Sequence, residues 1–220
     1  MATQRELVYN VLEKVKSLSD DQLLTEDYIA HLIDLKREYL LDQKFSDYRK
    51  VLPEVIKQTI EFQMVTEERV LGLGGDNVKV SRDTLPALAY IDRLINSTII
   101  TGRDFLEHAL NLIPYERFIH VGKDRILKNQ IYATFRDGRL YLKSGNNRDR
   151  GIWLLNMTGV FSSPEQAYNM SPQFDFNIPF ADIQYPLTNK LADTVVGMVT
   201  KDLLETLEVR PDVRNNASET

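Results

Sequence analysis

Residues 131–142, IYATFRDGRLYL, decide how the middle of this 220-residue chain folds. Strand-forming residues lie on both sides of Asp137-Gly138, and an Asp-Gly pair accepts the positive φ angles of a tight hairpin turn. The stretch therefore predicts a β-hairpin of 131–135 and 140–142. Antiparallel strands on short loops do not form a doubly wound parallel sheet, which weighs against nucleotide-dependent enzyme folds.

Residues on both sides of the hairpin have strand and turn patterns. Valines alternate with a lysine and a serine at 78–81, and 152–161 predict a third strand after the loop 143–151. The glycine-rich stretch 71–77 lacks the spacing and the following helix of a phosphate-binding loop, so we interpret it as a plain turn. Serine, proline and glutamate at the start of 163–167 predict a short helix.

Helical patterns dominate the N-terminal part. Thr3 and Glu6 have the spacing of a capping box, and apolar residues then recur every three or four positions from Leu7 to Leu18. Thr25 is expected to cap a second helix, whose buried side comprises Ile29, Leu32, Ile33, Lys36, Tyr39 and Leu40. Pro53 suits the first turn of a third helix, which would run from Glu54 to about Val65 with Val55, Ile56, Ile60 and Phe62 on its buried face.

The C-terminal part is expected to combine an extended segment with one long helix. Residues 171–186 contain three prolines and four aromatic residues, which favours an extended chain whose aromatic side chains pack on a surface. The following helix, 187–207, has a stripe of Leu191, Val195, Val199 and Leu203.

These patterns predict an α+β protein in which N-terminal and C-terminal helices form a helical bundle with a small antiparallel β domain inserted. The predicted regions are a helical bundle over 1–70, a mixed region with the antiparallel β-hairpin domain over 71–170, an extended segment and C-terminal helix packing on the bundle over 171–207, and a flexible tail over 208–220.

Residue usage disfavours many kinds of catalytic and binding site. The chain has no cysteine, which excludes disulfides, thiolate metal sites and cysteine nucleophiles. His31, His108 and His120 share no metal-ligand spacing, and no Walker, Gly-x-Ser-x-Gly or His-Glu-x-x-His sequence occurs. We therefore predict no catalytic residue, cofactor or metal. The absence of a signal-like start and of a long apolar run predicts a soluble protein, made in a reducing compartment, without membrane contact.

The charge is unevenly distributed along the chain. There are 27 basic and 32 acidic residues, a net charge of −5, which gives no general preference for nucleic acid. Residues 117–150 nevertheless carry 9 basic and 3 acidic side chains, whereas 1–70 carry 10 and 14 and 175–220 carry 4 and 8. A basic band therefore lies between acidic flanks.

The candidate interface residues belong to this basic band and are Arg136, Arg139, Lys143, Arg148 and Arg150. Three interpretations stay open: a solvated hairpin whose charges prevent edge-to-edge aggregation, contact with an acidic protein neighbour, and sequence-independent contact with DNA. The acidic neighbour includes another copy of this chain, in a head-to-tail contact that closes into a ring.

Six segments, in this order, resemble one protein family. They are IPYERF at 113–118, VG at 121–122, LKNQIY at 127–132, LYLKS at 140–144, TGVF at 158–161 and PEQA at 164–167. The chain resembles the ring proteins of the head-to-tail connector in crAss-like tailed bacteriophages, and its plan is similar to that of tail adaptors in other short-tailed phages. The resemblance is best over 113–167 and weaker in the N-terminal helices.

The resemblance implies a structural virion protein, made in the host cytoplasm, without catalysis. It implies a dodecameric ring in contact with the portal protein and neighbouring connector or tail proteins, through which genomic DNA passes without sequence-specific contact. Strong phosphate contacts would impede that passage, so we expect acidic surface nearer the channel and the basic hairpin at protein interfaces.

Two alternatives stay open beside the ring protein. A non-catalytic nucleic-acid-binding or regulatory module would use the basic hairpin, and its affinity for DNA would fall steeply with salt. An enzyme would need His108 or His120 close to a carboxylate and a pocket.

Overall fold

A computed structural model of the chain describes residues 2–16, 24–45, 52–67, 78–89, 99–102, 110–121, 130–144 and 151–208. It contains both helices and strands, which confirms the α+β class. It divides into two compact units, a helical unit from the ranges 1–44 and 177–220 and a sheet unit from 45–176.

The described α-helices are α1 (Gln4–Lys16), α2 (Glu26–Phe45), α3 (Tyr115–Phe118), α4 (Pro164–Asn169) and α5 (Asn189–Glu208). The strands are β1 (Gln58–Glu67), β2 (Val78–Ser81), β3 (Ile99–Gly102), β4 (Asn111–Leu112), β5 (Ile131–Arg136), β6 (Arg139–Ser144) and β7 (Leu154–Gly159). Single 3₁₀ turns occupy Glu54–Ile56 and Phe180–Asp182.

Local capping signals and apolar stripes define the helical unit. The amide of Glu6 donates to Thr3 Oγ1 (3.2 Å) and the amide of Thr3 donates to Glu6 Oε2 (3.0 Å), which confirms the capping box. Thr25 Oγ1 accepts from the amide of Tyr28 (3.3 Å), as expected of a cap. The predicted stripe of α5 is buried, and α5 packs against α1.

The buried side of α2 differs from the prediction at two positions. Ile29, Ile33 and Leu40 are buried as expected, but Tyr39 is 57% exposed, so its predicted burial is wrong. Arg37 is buried on that side instead. The physical reason is that the core beside position 37 supplies polar partners for a guanidinium, described below.

The predicted third helix, Glu54 to Val65, is wrong. Only Glu54–Ile56 form a helical turn, and the strand β1 follows. Ile60, Phe62 and Met64 are buried and alternate with more exposed residues, which is the period of a strand. Of the apolar residues that suggested a helix, Ile60 and Phe62 belong to this two-residue period, and Val55 and Ile56 lie in the short turn before the strand.

The seven described strands form one sheet in the order β3-β7-β1-β2-β6-β5-β4. β1 pairs antiparallel with β7 through residues 58–63 and with β2 through 64–67. All the other pairs are antiparallel except β4 with β5, which are parallel. The predicted strand 152–161 is present as the shorter β7, and it lies beside β1 and β3 rather than beside the hairpin.

The predicted hairpin is present as β5 and β6, in a register that pairs Arg136 with Arg139. Asp137 and Gly138 have φ angles of 51° and 71°. Positive φ at both turn residues is the type I′ pattern, whose twist matches that of the strands. Ser163 caps the predicted short helix by accepting from the amide of Gln166 (3.4 Å).

The segment 171–186 follows the prediction only in part. It includes the 3₁₀ turn Phe180–Asp182, and Phe180 and Tyr185 are buried in the helical unit. Phe176 is 91% exposed, although its ring lies edge-on to Phe174 with centroids 4.5 Å apart.

We predict opposite effects of alanine at two glycines. Gly138→Ala should lower the free energy of unfolding by about 1–3 kcal/mol, because an L-residue is strained at φ +71° and its Cβ would lie 2.8 Å from Thr84 Cγ2. Gly197→Ala, in α5 with open space around the new Cβ, should raise it by about 0.5–1 kcal/mol. Urea unfolding measures both, and destabilisation by Gly197→Ala would contradict the assigned helix.

Candidate interaction site

The tip of the β5–β6 hairpin brings two cations together. Arg136 and Arg139 are directly opposite each other at the last pair before the turn, where like charges are unfavourable. Arg136 Nε lies 3.3 Å from Asp137 Oδ2, and the guanidinium carbon lies 4.4 Å from the centroid of the Tyr115 ring. One carboxylate and one aromatic face therefore offset part of the repulsion and fix the position of Arg136.

The end of β2 and the residues after it hold the hairpin tip in place. The amide of Leu85 donates to the carbonyl of Gly138 (2.8 Å). Ser81 Oγ accepts from the amide of Leu140 (3.2 Å) and donates to the carbonyl of Asp83 (2.9 Å). The two arginines therefore flank an anchored turn, and little loop ordering is needed when a partner binds.

The structure assembles only part of the predicted basic interface. Arg136 is exposed and Arg139 is half-buried at the tip. Lys143 is 4% exposed inside β6, so its charge is not presented beside them. Arg148 and Arg150 lie outside the described residues. The described part of the site is therefore the pair Arg136 and Arg139 with Asp137 and Tyr115.

A buried polar cluster that the sequence did not predict lies in the helical unit. The Arg37 side chain is fully buried, and its Nε donates to the carbonyl of Pro186 (3.5 Å). Its guanidinium carbon lies 5.9 Å from the centroid of the Tyr185 ring, and the Tyr185 hydroxyl donates to Asp34 Oδ1. These contacts join α2 to the segment that precedes α5.

Burial dominates the protonation of this cluster. Burial lowers the pKa of Arg37, while the nearby Tyr185, Asp34 and Glu38 oppose that change. Burial raises the pKa of the Tyr185 hydroxyl well above its usual range, and Asp34 adds to the effect. The tyrosine is therefore a neutral hydrogen-bond donor at physiological pH. The composition of the cluster fits a role in stability. In the sequence, its signal is that Arg37 lies at helical spacing from Ile33 and Leu40.

A second unpredicted contact involves the one tryptophan of the chain. Lys79 is 2% exposed in the central strand β2, and its Nζ donates to the carbonyl of Ile152 (2.6 Å). The same Nζ lies 4.0 Å from the centroid of the Trp153 ring, which is 64% exposed. The sequence predicted alternation at 78–81, but a central strand buries both of its faces.

The described residues contain little that suggests chemistry. His31 and His120 are both exposed, and His108 lies outside the described residues. Within the ranges that the structure describes, no three His, Asp or Glu side chains are grouped to hold a metal ion. In the same part of the chain, no helix is both long and apolar enough to cross a membrane.

Two comparisons with known proteins give matches over nearly the whole chain. A family model described as Phage tail ring protein 2 matches residues 6–220. The chain is also 27% identical, over 222 aligned residues, to Ring protein 2 of Bacteroides phage crAss001. The alignment covers 99% of this chain and 97% of that protein. These matches confirm the resemblance first seen in the segments of 113–167.

We predict that the buried arginine contributes more stability than its neighbour. Arg37→Leu should lower the free energy of unfolding by about 1–3 kcal/mol, because it leaves the carbonyl of Pro186 without its donor and removes the cation from the Tyr185 ring. Lys36→Leu is the matched control: it removes a partly exposed ion pair with Asp202 and should cost at most about 1 kcal/mol. Equal losses in urea unfolding would contradict the role of the cluster.

We also predict a specific loss of stability at alkaline pH. The folded-state pKa of Tyr185 is raised above the unfolded value of about 10, so the folded chain retains a proton that the unfolded chain has released. Stability should therefore fall as pH rises above about 10, by up to about 1.4 kcal/mol per pH unit from this group. Tyr185→Phe should remove that contribution, and an unchanged pH slope in the variant would contradict the assignment.

Proposed function

We propose that this chain, which belongs to the phage tail ring protein 2 family, forms a ring in the head-to-tail connector of a tailed-phage virion. The family match over residues 6–220 carries the proposal, since it supports a structural role in a ring of the virion. To that role we add the connector position and the passage of the genome through the ring.

The distribution of charge between the two units supports assembly from head to tail. Residues 1–44 and 177–220 carry 10 basic and 16 acidic side chains, a net charge of −6, whereas 45–176 carry 17 and 16, a net charge of +1. A ring needs two different patches on each subunit that complement each other. An acidic helical unit and a sheet unit with arginines at its hairpin tip supply such a difference.

The same charge distribution suits a channel for DNA. A channel lined by basic side chains would retain DNA through many phosphate contacts, whereas acidic side chains leave it free to slide. We therefore propose that acidic side chains of the helical unit face the channel and that the basic hairpin lies at protein contacts through Arg136 and Arg139 at its tip. Within this proposal the ring is a dodecamer that binds the portal protein and the next connector or tail protein.

Complementation of a phage that lacks this chain tests the proposal. We predict that particles made without it contain DNA-filled heads without attached tails, and that the unmodified chain restores infectious virions. The double variant Arg136→Glu/Arg139→Glu should fail to restore them, because it reverses the charge at the hairpin tip. The double variant Lys190→Glu/Lys201→Glu changes the net charge equally, at two exposed positions of α5, and should restore them.

Tailed, infectious particles without the chain would refute the connector role. Normal assembly of the arginine variant, with altered retention of DNA, would instead assign the hairpin to the channel. Binding of DNA by the purified chain, with a steep loss of affinity as salt rises, would favour the nucleic-acid-binding module.

A further inference from the structure

α2 has an exposed stripe opposite its buried one. Tyr28, Leu35 and Tyr39 are 49%, 48% and 57% exposed, and His31 and Asp42 are exposed as well. At 3.6 residues per turn these five positions fall on one side of the helix, along about four turns. Large apolar side chains that repeat in this way on a surface are typical of a contact with another protein.

The charge of this stripe is acidic. Asp27 and Asp42 are exposed on or beside it, and Glu38 is half-buried at its margin. The cations of α2 lie elsewhere: Lys36 pairs with Asp202, Arg37 is in the core, and position 44 falls on the buried side of the helix. The outer face of α2 therefore combines tyrosine rings with carboxylates.

We infer that the hairpin tip of one copy, with Arg136 and Arg139, docks on the outer face of α2 of the next copy in the ring. This inference rests on the proposed function, and it names the two surfaces that meet between subunits. Guanidinium groups bind carboxylates and stack on aromatic rings, so an arginine pair fits an acidic, tyrosine-rich helix face. Tyrosine and arginine are also among the residues that contribute most to binding at protein interfaces.

The chain itself contains an example of the recognition that we propose. Arg136 lies against the ring of Tyr115 and beside the carboxylate of Asp137. The outer face of α2 offers the same two groups, in Tyr28 or Tyr39 and in Asp27 or Asp42. Because the two surfaces differ and belong to different units, the contact is head-to-tail and suits a closed ring.

Other occupants fit this face less well. Two α2 helices packed against each other would form a two-fold contact and would bring the carboxylates of both copies together. A nucleic acid would meet the same carboxylates with its phosphates. The two-fold contact would join position 31 of one copy to position 31 of the other in the cross-linking test below.

Site-specific cross-linking tests the contact, because the chain has no cysteine of its own. One population carries His31→Cys in the middle of the stripe, and a second, tagged population carries Thr84→Cys next to the hairpin turn. Both substitutions are at exposed positions and leave the arginines, tyrosines and carboxylates in place. Particles assembled from equal amounts of both are treated with a short bismaleimide, so only different chains can be joined between positions 31 and 84.

We expect a tagged heterodimer from the pair 31–84. We expect no tagged heterodimer from two matched control pairs, each of which moves one cysteine to another exposed position. These pairs are Glu13→Cys with Thr84→Cys and His31→Cys with Glu165→Cys. A predominant 31–31 dimer, or equal heterodimer in all three pairs, would overturn the docking contact. If the chains are present as a ring but 31–84 is not joined, only this inference fails. If the chains are absent from the particles, the proposed function fails.

Discussion

The sheet unit depends on β1, because this strand connects parts of the sheet that have no other common neighbour. Its first half pairs with β7 and its second half pairs with β2, which in turn pairs with β6 of the hairpin. Ile60, Phe62 and Met64 from β1 share one core with apolar residues of the hairpin and of β7. The hairpin tip and its arginines are positioned by that core and by the hydrogen bonds that Ser81 and Leu85 make with the hairpin.

Features set by neighbouring residues were predictable from the sequence, whereas features set by distant residues were not. The capping box of Thr3 and Glu6 and the turn at Asp137-Gly138 depend on a few adjacent positions, and both are present. The assignment of β1 required its partners at 78–81 and 154–159, which lie far along the chain, and Pro53 with spaced apolar residues imitated a helix start. The burial of Arg37 depends in the same way on Pro186 and Tyr185.

The candidate site was predicted in part for the same reason. Residues on both sides of a two-residue turn must be at a tip, so Arg136 and Arg139 could be placed from sequence. Lys143 lies only four residues further, but it is buried because its strand is central in the sheet. The outer stripe of α2 could not be recognised in the sequence, because the apolar spacing places Tyr39 on the buried side of the helix. In the structure Tyr39 is exposed.

We propose that this chain forms a closed ring around the DNA channel between head and tail. A cryo-EM reconstruction of the virion neck tests it most directly. We expect a closed ring of this chain between portal and tail, with hairpin tips at contacts between subunits and acidic side chains toward the channel. A reconstruction in which the chain is absent from the neck, or lies outside any ring, would contradict it.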